Sequence, residues 1–178
     1  MRSIPVTLAA YDPAWPQMAA RHAERLAVLG ATLVAVHHIG STSVPGLTAK
    51  PIIDLMPLVT SLAALDAGRG RLEALGYDWH GEFGIAGRRY CTLCDAAGNR
   101  LAHAHFFSAD SPEVERHIAF RDYLRAHPAA ARAYEREKRK ARALHPEDLR
   151  AYTDEKAAWV RETEAQALAW LAGQRGRG

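Results

Sequence analysis

One segment of this chain joins two predicted strands through a turn: His38-Ile39-Gly40-Ser41-Thr42-Ser43-Val44-Pro45-Gly46-Leu47-Thr48-Ala49-Lys50-Pro51-Ile52-Ile53-Asp54. Strands are predicted over Leu33 to Ile39 and Pro51 to Val59, because both runs are rich in branched apolar residues. Gly40 to Lys50 is rich in glycine, proline and hydroxyl side chains, which is typical of a turn that holds at most one short helical turn. We expect this turn and the second strand to open onto one pocket.

The turn has the chemistry of an anion-binding site. Gly40 allows a ligand to come close to the backbone. The three residues after it supply hydroxyls and backbone N–H groups that suit phosphate oxygens: Ser41, Thr42 and Ser43. The sequence therefore predicts a phosphate-binding turn at the end of the first strand.

Asp54 is a lone carboxylate in the middle of an apolar strand. It shares a strand face with three apolar residues: Ile52, Met56 and Leu58. A carboxylate in such surroundings is costly to desolvate unless a cation, a metal or a hydrogen-bond donor accompanies it. Two interpretations stay open, since Asp54 either caps the turn by accepting its N–H groups or holds a metal opposite a bound phosphate.

Length and composition indicate one globular domain spanning residues 1–178. The chain is 48% hydrophobic and 24% charged, which argues against disorder, and no run is apolar for long enough to cross a membrane. Residues 1–10 lack the features of a secretory signal, so we expect a cytoplasmic protein with no membrane partner. The formal charge of +3 suits anionic ligands without indicating nucleic-acid binding.

The order of predicted elements indicates an α+β fold. A helix is predicted from the Asp12–Pro16 turn to about Leu29, and a second one from the Ser61 cap to near Gly76. Two further strands, Arg88 to Cys94 and Leu101 to Phe107, form a hairpin. Three consecutive helices follow, beginning after Ser111, His127 and His145, each of which precedes a proline. We expect a sheet-containing core over residues 1–110 and C-terminal helices over residues 111–172.

Cys91 and Cys94 form a C-x-x-C pair, which raises a metal or redox interpretation. They lie on a predicted strand, where residues three apart point to opposite faces. The chain has no second cysteine pair to complete a zinc site. We therefore interpret them as two unrelated reduced thiols.

Two histidines lie on one face of a predicted strand. His103 and His105 are separated by about 6–7 Å at the usual strand rise. If this strand neighbours Asp54, the three side chains form a two-imidazole, one-carboxylate site, which suits a transition metal better than Mg²⁺. The alternatives are that the histidines form hydrogen bonds with a neighbouring helix, or that one of them acts as an acid or base on substrate.

Three cations occupy helix faces that should turn inward: Arg121, Lys138 and Lys156. Together with Lys50 beside the turn, they would surround a shared anion, either Asp54, Glu82 or a bound phosphate. Long basic side chains can also extend out of such positions into water. The basic run over residues 132–142 is interspersed with glutamates, so it indicates a solvated helix face and not a nucleic-acid surface.

The segment from His38 to Asp54 closely resembles the signature of the GrpB (UPF0157) family, which belongs to the nucleotidyltransferase superfamily. The resemblance continues through Asp12-Pro13-Ala14-Trp15, His103-Ala104-His105 and Phe120-Arg121-Asp122-Tyr123-Leu124-Arg125, up to Lys138. It implies a nucleotidyltransferase-like mixed sheet packed against helices. It also implies that Gly40 and Ser41 bind phosphate and that Asp54 is a metal carboxylate.

The sequence departs from active superfamily members at two positions. They usually carry a second carboxylate where this chain has Met56, and a third on a later strand, whereas Leu101 to Phe107 contains no acid. Two function hypotheses follow. In the first, the protein binds a nucleotide or another phosphorylated small molecule and transfers a nucleotidyl or phosphoryl group, with Asp54 and His105 as catalytic residues and Mg²⁺ or Mn²⁺, less favourably Zn²⁺, as cofactor. In the second, it is a non-catalytic module that binds phosphate, nucleotide or protein. The sequence indicates no oligomeric state.

Overall fold

A five-stranded mixed sheet forms the centre of the protein in a computed structural model that describes residues 6–176. The strands are β1 Leu33–Ile39, β2 Ile53–Val59, β3 Tyr77–Trp79, β4 Arg88–Cys94 and β5 Arg100–Ser108. Their order in the sheet is β1-β2-β5-β4-β3. β2 and β5 pair in parallel, and the other neighbouring strands pair in an antiparallel manner.

Helices precede, interrupt and follow the sheet. They are α1 Trp15–Arg25, α2 Leu62–Ala67, α3 Arg69–Ala74, α4 Pro112–Ala126, α5 Pro128–Leu144, α6 Leu149–Glu155 and α7 Ala157–Arg175. Two 3₁₀ segments, Leu26–Thr32 and Ser41–Ser43, flank β1. The expected α+β architecture is confirmed, with the C-terminal helices following the sheet.

The first two helices differ from the predicted ones in their ends. The helix expected to reach Leu29 ends at Arg25 and continues as a 3₁₀ segment, in which Gly30 adopts a φ of 58° that no α-helix contains. The helix after Ser61 is divided at Gly68, where ψ is 4°. Ser61 does cap it, since its side chain accepts a hydrogen bond from the Ala64 N–H at 3.1 Å.

The C-terminal region contains one more helix than predicted. Pro128 begins α5 as expected, whereas the helix predicted from Pro146 begins at Leu149, because the Asp148 side chain accepts from the N–H groups of Arg150 and Ala151. This helix then ends at Glu155, and α7 begins at Ala157 after the single residue Lys156. The short strand β3 was also not predicted, because three residues are too few to show an alternating pattern.

The two faces of the sheet pack against different helices. On one face, α1 and the α2–α3 pair cover apolar residues of β2, β4 and β5, including Leu55, Cys91 and Phe106. On the other face, Met56 and Phe107 pack against Val114 and Ile118 of α4. This second face also carries the polar residues of the predicted site, so α4 determines how much of it stays open.

The cysteines are free thiols in different surroundings, with Cys91 buried and Cys94 half-buried. In residues 6–176 no helix combines the length and the apolar character needed to span a bilayer. The first five residues of the segment considered for a secretory signal lie outside the described residues.

Candidate functional site

The turn after β1 and the carboxylate of β2 face each other directly. Ile39 pairs with Asp54 in the antiparallel β1–β2 ladder, which places Gly40 beside the Asp54 side chain. Gly40 has a φ of 70°, and a Cβ added to it would lie 2.7 Å from Asp54 Oδ2. Only glycine allows this conformation and this approach together. The expected proximity of turn and carboxylate is present in the structure.

Both predicted histidines lie beside the same carboxylate. Asp54 is opposite His103 in the parallel β2–β5 pair, so the backbone register places the two side chains together. His103 Nδ1 lies 3.0 Å and His105 Nε2 lies 3.5 Å from Asp54 Oδ1. All three side chains are partly exposed, with 30% exposure for Asp54.

The two imidazoles determine the protonation of Asp54. Burial disfavours its charge, but the hydrogen bonds from His103 and His105 outweigh burial and hold the pKa of this carboxyl well below its usual range. Asp54 is therefore an anion that accepts hydrogen bonds from side chains. The alternative in which it caps the turn by accepting backbone N–H groups does not match its contacts among residues 6–176.

His105 is oriented from behind by a buried arginine. Arg88 Nη1 lies 3.4 Å from His105 Nδ1, and because an arginine can only donate, Nδ1 is the acceptor. The remaining ring proton is then on Nε2, directed at Asp54. His105 thus directs an N–H group into the site, which favours a role as hydrogen-bond donor over ligation of a metal through the same nitrogen.

The three side chains offer donor atoms for one divalent ion. One atom from each of Asp54, His103 and His105 lies within 4.8 Å of the others. Two imidazoles favour a transition metal over Mg²⁺, and each would bind it through a ring nitrogen that carries no hydrogen. Asp54 and His103 fit this role best, since Arg88 opposes the tautomer that His105 would need.

The hydroxyls of the turn differ in their availability. Thr42 is buried and lies 2.9 Å from His38 Nε2, and the buried Ser43 donates to the Gly40 carbonyl at 2.6 Å. Ser41 is partly exposed, and its hydroxyl forms no hydrogen bond within the described part of the chain. Within the turn, the first backbone hydrogen bond runs from the Ser43 N–H to the Gly40 carbonyl. The N–H groups of Gly40 and Ser41 therefore donate to no carbonyl of the turn itself.

His38 stabilises the turn as a neutral ring. Burial is the main cause that lowers its pKa to about 4; the charge of Asp54 opposes the shift, and Arg125 and Arg121 add to it. A neutral imidazole can share one hydrogen with the Thr42 hydroxyl without bringing a second charge next to Asp54.

Two arginines of α4 bind both ends of the turn. Arg121 donates to the His38 carbonyl at 3.2 Å, and Arg125 donates to the Ser43 carbonyl through Nε at 3.0 Å and Nη2 at 2.8 Å. Asp122 pairs with both guanidinium groups. Arg121 was predicted to contact phosphate, but the structure places its donors on the backbone and on Asp122. Arg125 was not predicted, although its spacing of four residues from Arg121 marks the same helix face.

Lys138 of α5 binds the end of the same loop. Its side chain is 2% exposed, its ammonium donates to the Thr48 carbonyl, and it lies 4.7 Å from the centre of the Tyr134 ring. The Thr48 hydroxyl in turn donates to Glu135 at 2.5 Å. Lys138 was predicted to contact phosphate as well, and here its partners are the loop backbone and an aromatic ring.

Lys50 belongs to a second group of cations, and it is the member that interacts with Asp54. Burial lowers the pKa of Lys50, the charge of Asp54 opposes this, and Lys156 and Arg100 add to it, so the four groups interact electrostatically. Lys156 also lies 5.5 Å from the Tyr152 ring centre. Arg100 was not predicted. Glu82, named as a possible partner of these cations, instead accepts from the Gly87 N–H and lies 3.8 Å from Arg89.

The fold places the protein in a structural class. The structure resembles that of the Cid1 poly(U) polymerase with Mg and 3'-dATP bound, with a TM-score of 0.54 and 13% identity over 83% of this chain and 49% of the polymerase chain. At this identity the likeness shows the fold alone. The protein has a nucleotidyltransferase-like fold, as expected from the resemblance of its turn and carboxylate.

Comparison at higher identity shows the family. A family model described as GrpB protein matches residues 5–166. The crystal structure of conserved protein GrpB from Enterococcus faecalis matches with a TM-score of 0.87 and 37% identity, covering 93% of this chain and 99% of that one. The UPF0157 protein YqkA from Bacillus subtilis is 40% identical over 95% of this chain, which spans 49% of the length of YqkA. The chain belongs to the GrpB family.

Proposed function

We propose that this protein binds a nucleotide or a similar phosphorylated molecule at the Gly40 turn and transfers its nucleotidyl or phosphoryl group with the help of a divalent metal. One observation carries this proposal: a glycine turn, whose own backbone bonds begin only with the Ser43 N–H, lies against an ionised carboxylate that leaves room for nothing larger than hydrogen on Gly40. Metal-assisted transfer of a phosphoryl group requires donors that bind the phosphate oxygens, next to an oxygen that binds the metal.

Each group near the turn has a separate role in the proposal. The backbone N–H groups of Gly40 and Ser41 bind phosphate oxygens. Lys50 and Lys156 neutralise the charge that accumulates on the transferred group. Arg121 and Lys138 act as positioning residues, since their donors bind the carbonyls at either end of the loop.

In this proposal His105 acts as a hydrogen-bond donor. Because Arg88 donates to Nδ1, the neutral ring keeps its hydrogen on Nε2, and this N–H would stabilise an oxygen that develops negative charge. Asp54 and His103 would hold the metal ion, which when bound withdraws charge from phosphate oxygens. Mn²⁺ suits both the imidazole and the carboxylate, so we favour it over Mg²⁺ and Zn²⁺.

The direct test is Asp54→Asn, with nucleotide binding measured by isothermal titration with Mn²⁺, Mg²⁺, Zn²⁺ or EDTA. Asparagine keeps an oxygen that accepts from His103, so the fold should persist while the metal-binding charge is lost. Wild-type protein should bind at least one of ATP, GTP, CTP and UTP more tightly with metal, and the variant should lose that gain. Equal affinities in the two proteins would reject the proposal.

Asp78→Asn is the matched control. Asp78 is an exposed carboxylate on the edge strand β3, so its substitution removes one charge from the sheet without touching the site. This variant should retain metal-dependent binding. If Asp78→Asn also loses metal-dependent binding, the loss results from the change in net charge and not from a change in the site.

A second candidate is a binding module without turnover. Met56 occupies the position of the second carboxylate and is completely buried beneath α4, and β5 carries histidines in place of an acid. With one carboxylate, a two-metal clamp is not available. Chromatographic analysis of nucleotides incubated with protein and Mn²⁺ separates the candidates, since any protein-dependent product that Asp54→Asn does not form excludes the module.

A further inference from the structure

An aromatic ring stands exposed at the edge of the site. Phe83 lies in the loop between β3 and β4, and 66% of its surface is exposed. Its φ is 46°, in the left-handed region that residues other than glycine rarely adopt. Most of this ring stays in water although its backbone conformation is unfavourable for phenylalanine, which makes a role in binding a simple physical reason for it.

The loop is held in this shape by buried contacts. Arg88 is 7% exposed and donates to the Phe83 carbonyl at 2.6 Å and to the Glu82 carbonyl at 3.1 Å. The Glu82 carboxylate accepts from the Gly87 N–H at 2.8 Å. The backbone at Phe83 is therefore fixed by the same arginine that orients His105.

The Phe83 ring continues the site through Tyr90. The two rings stack with centroids 5.1 Å apart and an angle of 22° between their planes. Tyr90 also contacts both site histidines, with ring centroids at 5.6 Å for His103 and 5.1 Å for His105. The His80 ring, at 5.5 Å, and the Arg88 guanidinium, at 5.0 Å, lie against the same tyrosine. Burial, reinforced by the charge of Asp54, raises the pKa of Tyr90 to about 12, so this ring is neutral at physiological pH.

We propose that Phe83, supported by Tyr90, is a stacking platform for the planar base of a nucleotide whose phosphates occupy the Asp54 site. The inference rests on the proposed function and adds to it that the ligand carries an aromatic group. Tyr90 covers one side of Phe83, and the exposure of the remainder leaves ring surface available to a base. Stacking distinguishes poorly between bases, so we expect binding of purine and pyrimidine nucleotides with modest preference.

The experiment compares two probes that differ in the base. Inorganic tripolyphosphate presents phosphate alone, and ATP presents phosphate with a base, both titrated calorimetrically in the presence of Mn²⁺. We expect wild-type protein to bind ATP more tightly than tripolyphosphate. Phe83→Ala should weaken ATP binding about tenfold, as loss of one stacked base does, and leave tripolyphosphate binding unchanged.

Two further variants control for the fold and for lost apolar surface. Phe83→Tyr keeps the ring and the backbone strain, so it should retain wild-type affinity for ATP. Leu144→Ala removes a side chain of similar exposure, 55%, from the end of α5 and should have no effect. Unfolding curves of all variants verify that each is folded.

The outcomes separate this inference from the function beneath it. Equal ATP affinity in wild-type protein and Phe83→Ala would overturn the platform and leave phosphate binding intact. Equal weakening of both probes would also overturn it, because the loop would then serve the phosphate site. Failure of wild-type protein to bind either probe would overturn the proposed function and the platform together.

Discussion

Gly40 is the residue at which backbone conformation and site geometry meet. Its φ of 70° excludes most side chains, and the carboxylate of Asp54 occupies the space that a Cβ would need. Other glycines with positive φ, such as Gly46 at 79°, have no atom within 4 Å of the equivalent position. Alanine substitutions at Gly40 and Gly46 therefore separate the free-energy cost of backbone strain from the cost of a steric clash with Asp54.

We predict that Gly40→Ala destabilises the protein by about 2–4 kcal/mol and that Gly46→Ala costs about 1 kcal/mol. Alanine at 46 meets backbone strain only, whereas alanine at 40 also displaces Asp54 from the histidines. Urea unfolding followed by circular dichroism measures both values. Similar losses for the two variants would show that the carboxylate moves aside at no cost.

Lys138 illustrates the effect of burying a single amine. Burial lowers its pKa to about 7 from an ordinary value of 10.5; the charge of Glu135 opposes the shift, and Lys156 and Arg139 add to it. Between these pH values the unfolded chain holds a proton on this amine that the folded protein has lost. The contribution of Lys138 to the free energy of unfolding therefore rises with pH across that window and is lowest below pH 7.

We predict that Lys138→Met reduces the slope of unfolding free energy against pH between 7 and 9.5. Lys138 contributes up to about 1.4 kcal/mol per pH unit to this slope. The measurement is urea unfolding of wild-type and variant protein at several pH values. Parallel slopes would mean that Lys138 stays charged in the folded protein.

At the scale of elements, the loop between β1 and β2 is positioned by helices far away in sequence. Arg121 and Arg125 of α4 bind the carbonyls of His38 and Ser43, and Lys138 of α5 binds that of Thr48. These carbonyls thus receive their hydrogen bonds from side chains, whereas in a strand or a long helix the backbone would supply them. The C-terminal helices are for this reason part of the site.

We predict that Arg125→Met costs about 1–2 kcal/mol of stability and weakens tripolyphosphate binding, because the Ser43 carbonyl loses its charged donor. Methionine preserves the length of the stem, so packing changes little. Arg150→Met, on a side chain that is 87% exposed, is the control and should change neither property. Calorimetric titration and urea unfolding provide the two measurements.

The pairing of β2 with β5 brings the carboxylate to the histidines. In this parallel register Asp54 lies opposite His103, and position 56 falls opposite His105. Parallel neighbours require a long connection, which here contains α2, α3, β3 and β4. Met56 lies where α4 packs on the sheet, so a carboxylate at that position would be buried.

At the scale of the whole molecule, the sheet and the C-terminal helices share apolar contacts. Val44 and Leu47 of the loop pack with Leu124 and Tyr134 of the helices in one buried cluster. The loop cannot keep this position without the helices, and the helices would expose the cluster without the loop. We therefore propose that residues 1–178 fold as one unit.

We predict one cooperative unfolding transition for the whole chain. Circular dichroism reports mainly on the helices, and tryptophan fluorescence reports on both parts, since Trp15 and Trp79 contact the sheet core while Trp159 and Trp170 lie on α7. Urea curves from the two methods should coincide. Two separated midpoints would indicate independent units divided near residue 110.

Local chemistry in the sequence was sufficient for most elements. The turn after Ile39, the strands on either side of it, the hairpin of β4 and β5, and the proline-marked starts of α4 and α5 follow from residue preferences within a few positions. The elements that were wrong or missed depend on tertiary context. β3 is stabilised by pairing with β4 and by burial of Tyr77 in the core, and the break at Lys156 has no glycine or proline near it in the sequence.

The candidate site was likewise predictable only in part. Residue types alone predicted a phosphate-binding turn, a carboxylate that needs a partner, and two histidines on one strand face. Only the folded chain makes His103 and His105 that partner, assigns Arg125 to the Ser43 carbonyl and places Phe83 beside Tyr90. The reason is that conformational preferences act over a few residues, whereas the contacts between distant strands and helices are set by collective burial of the whole sheet.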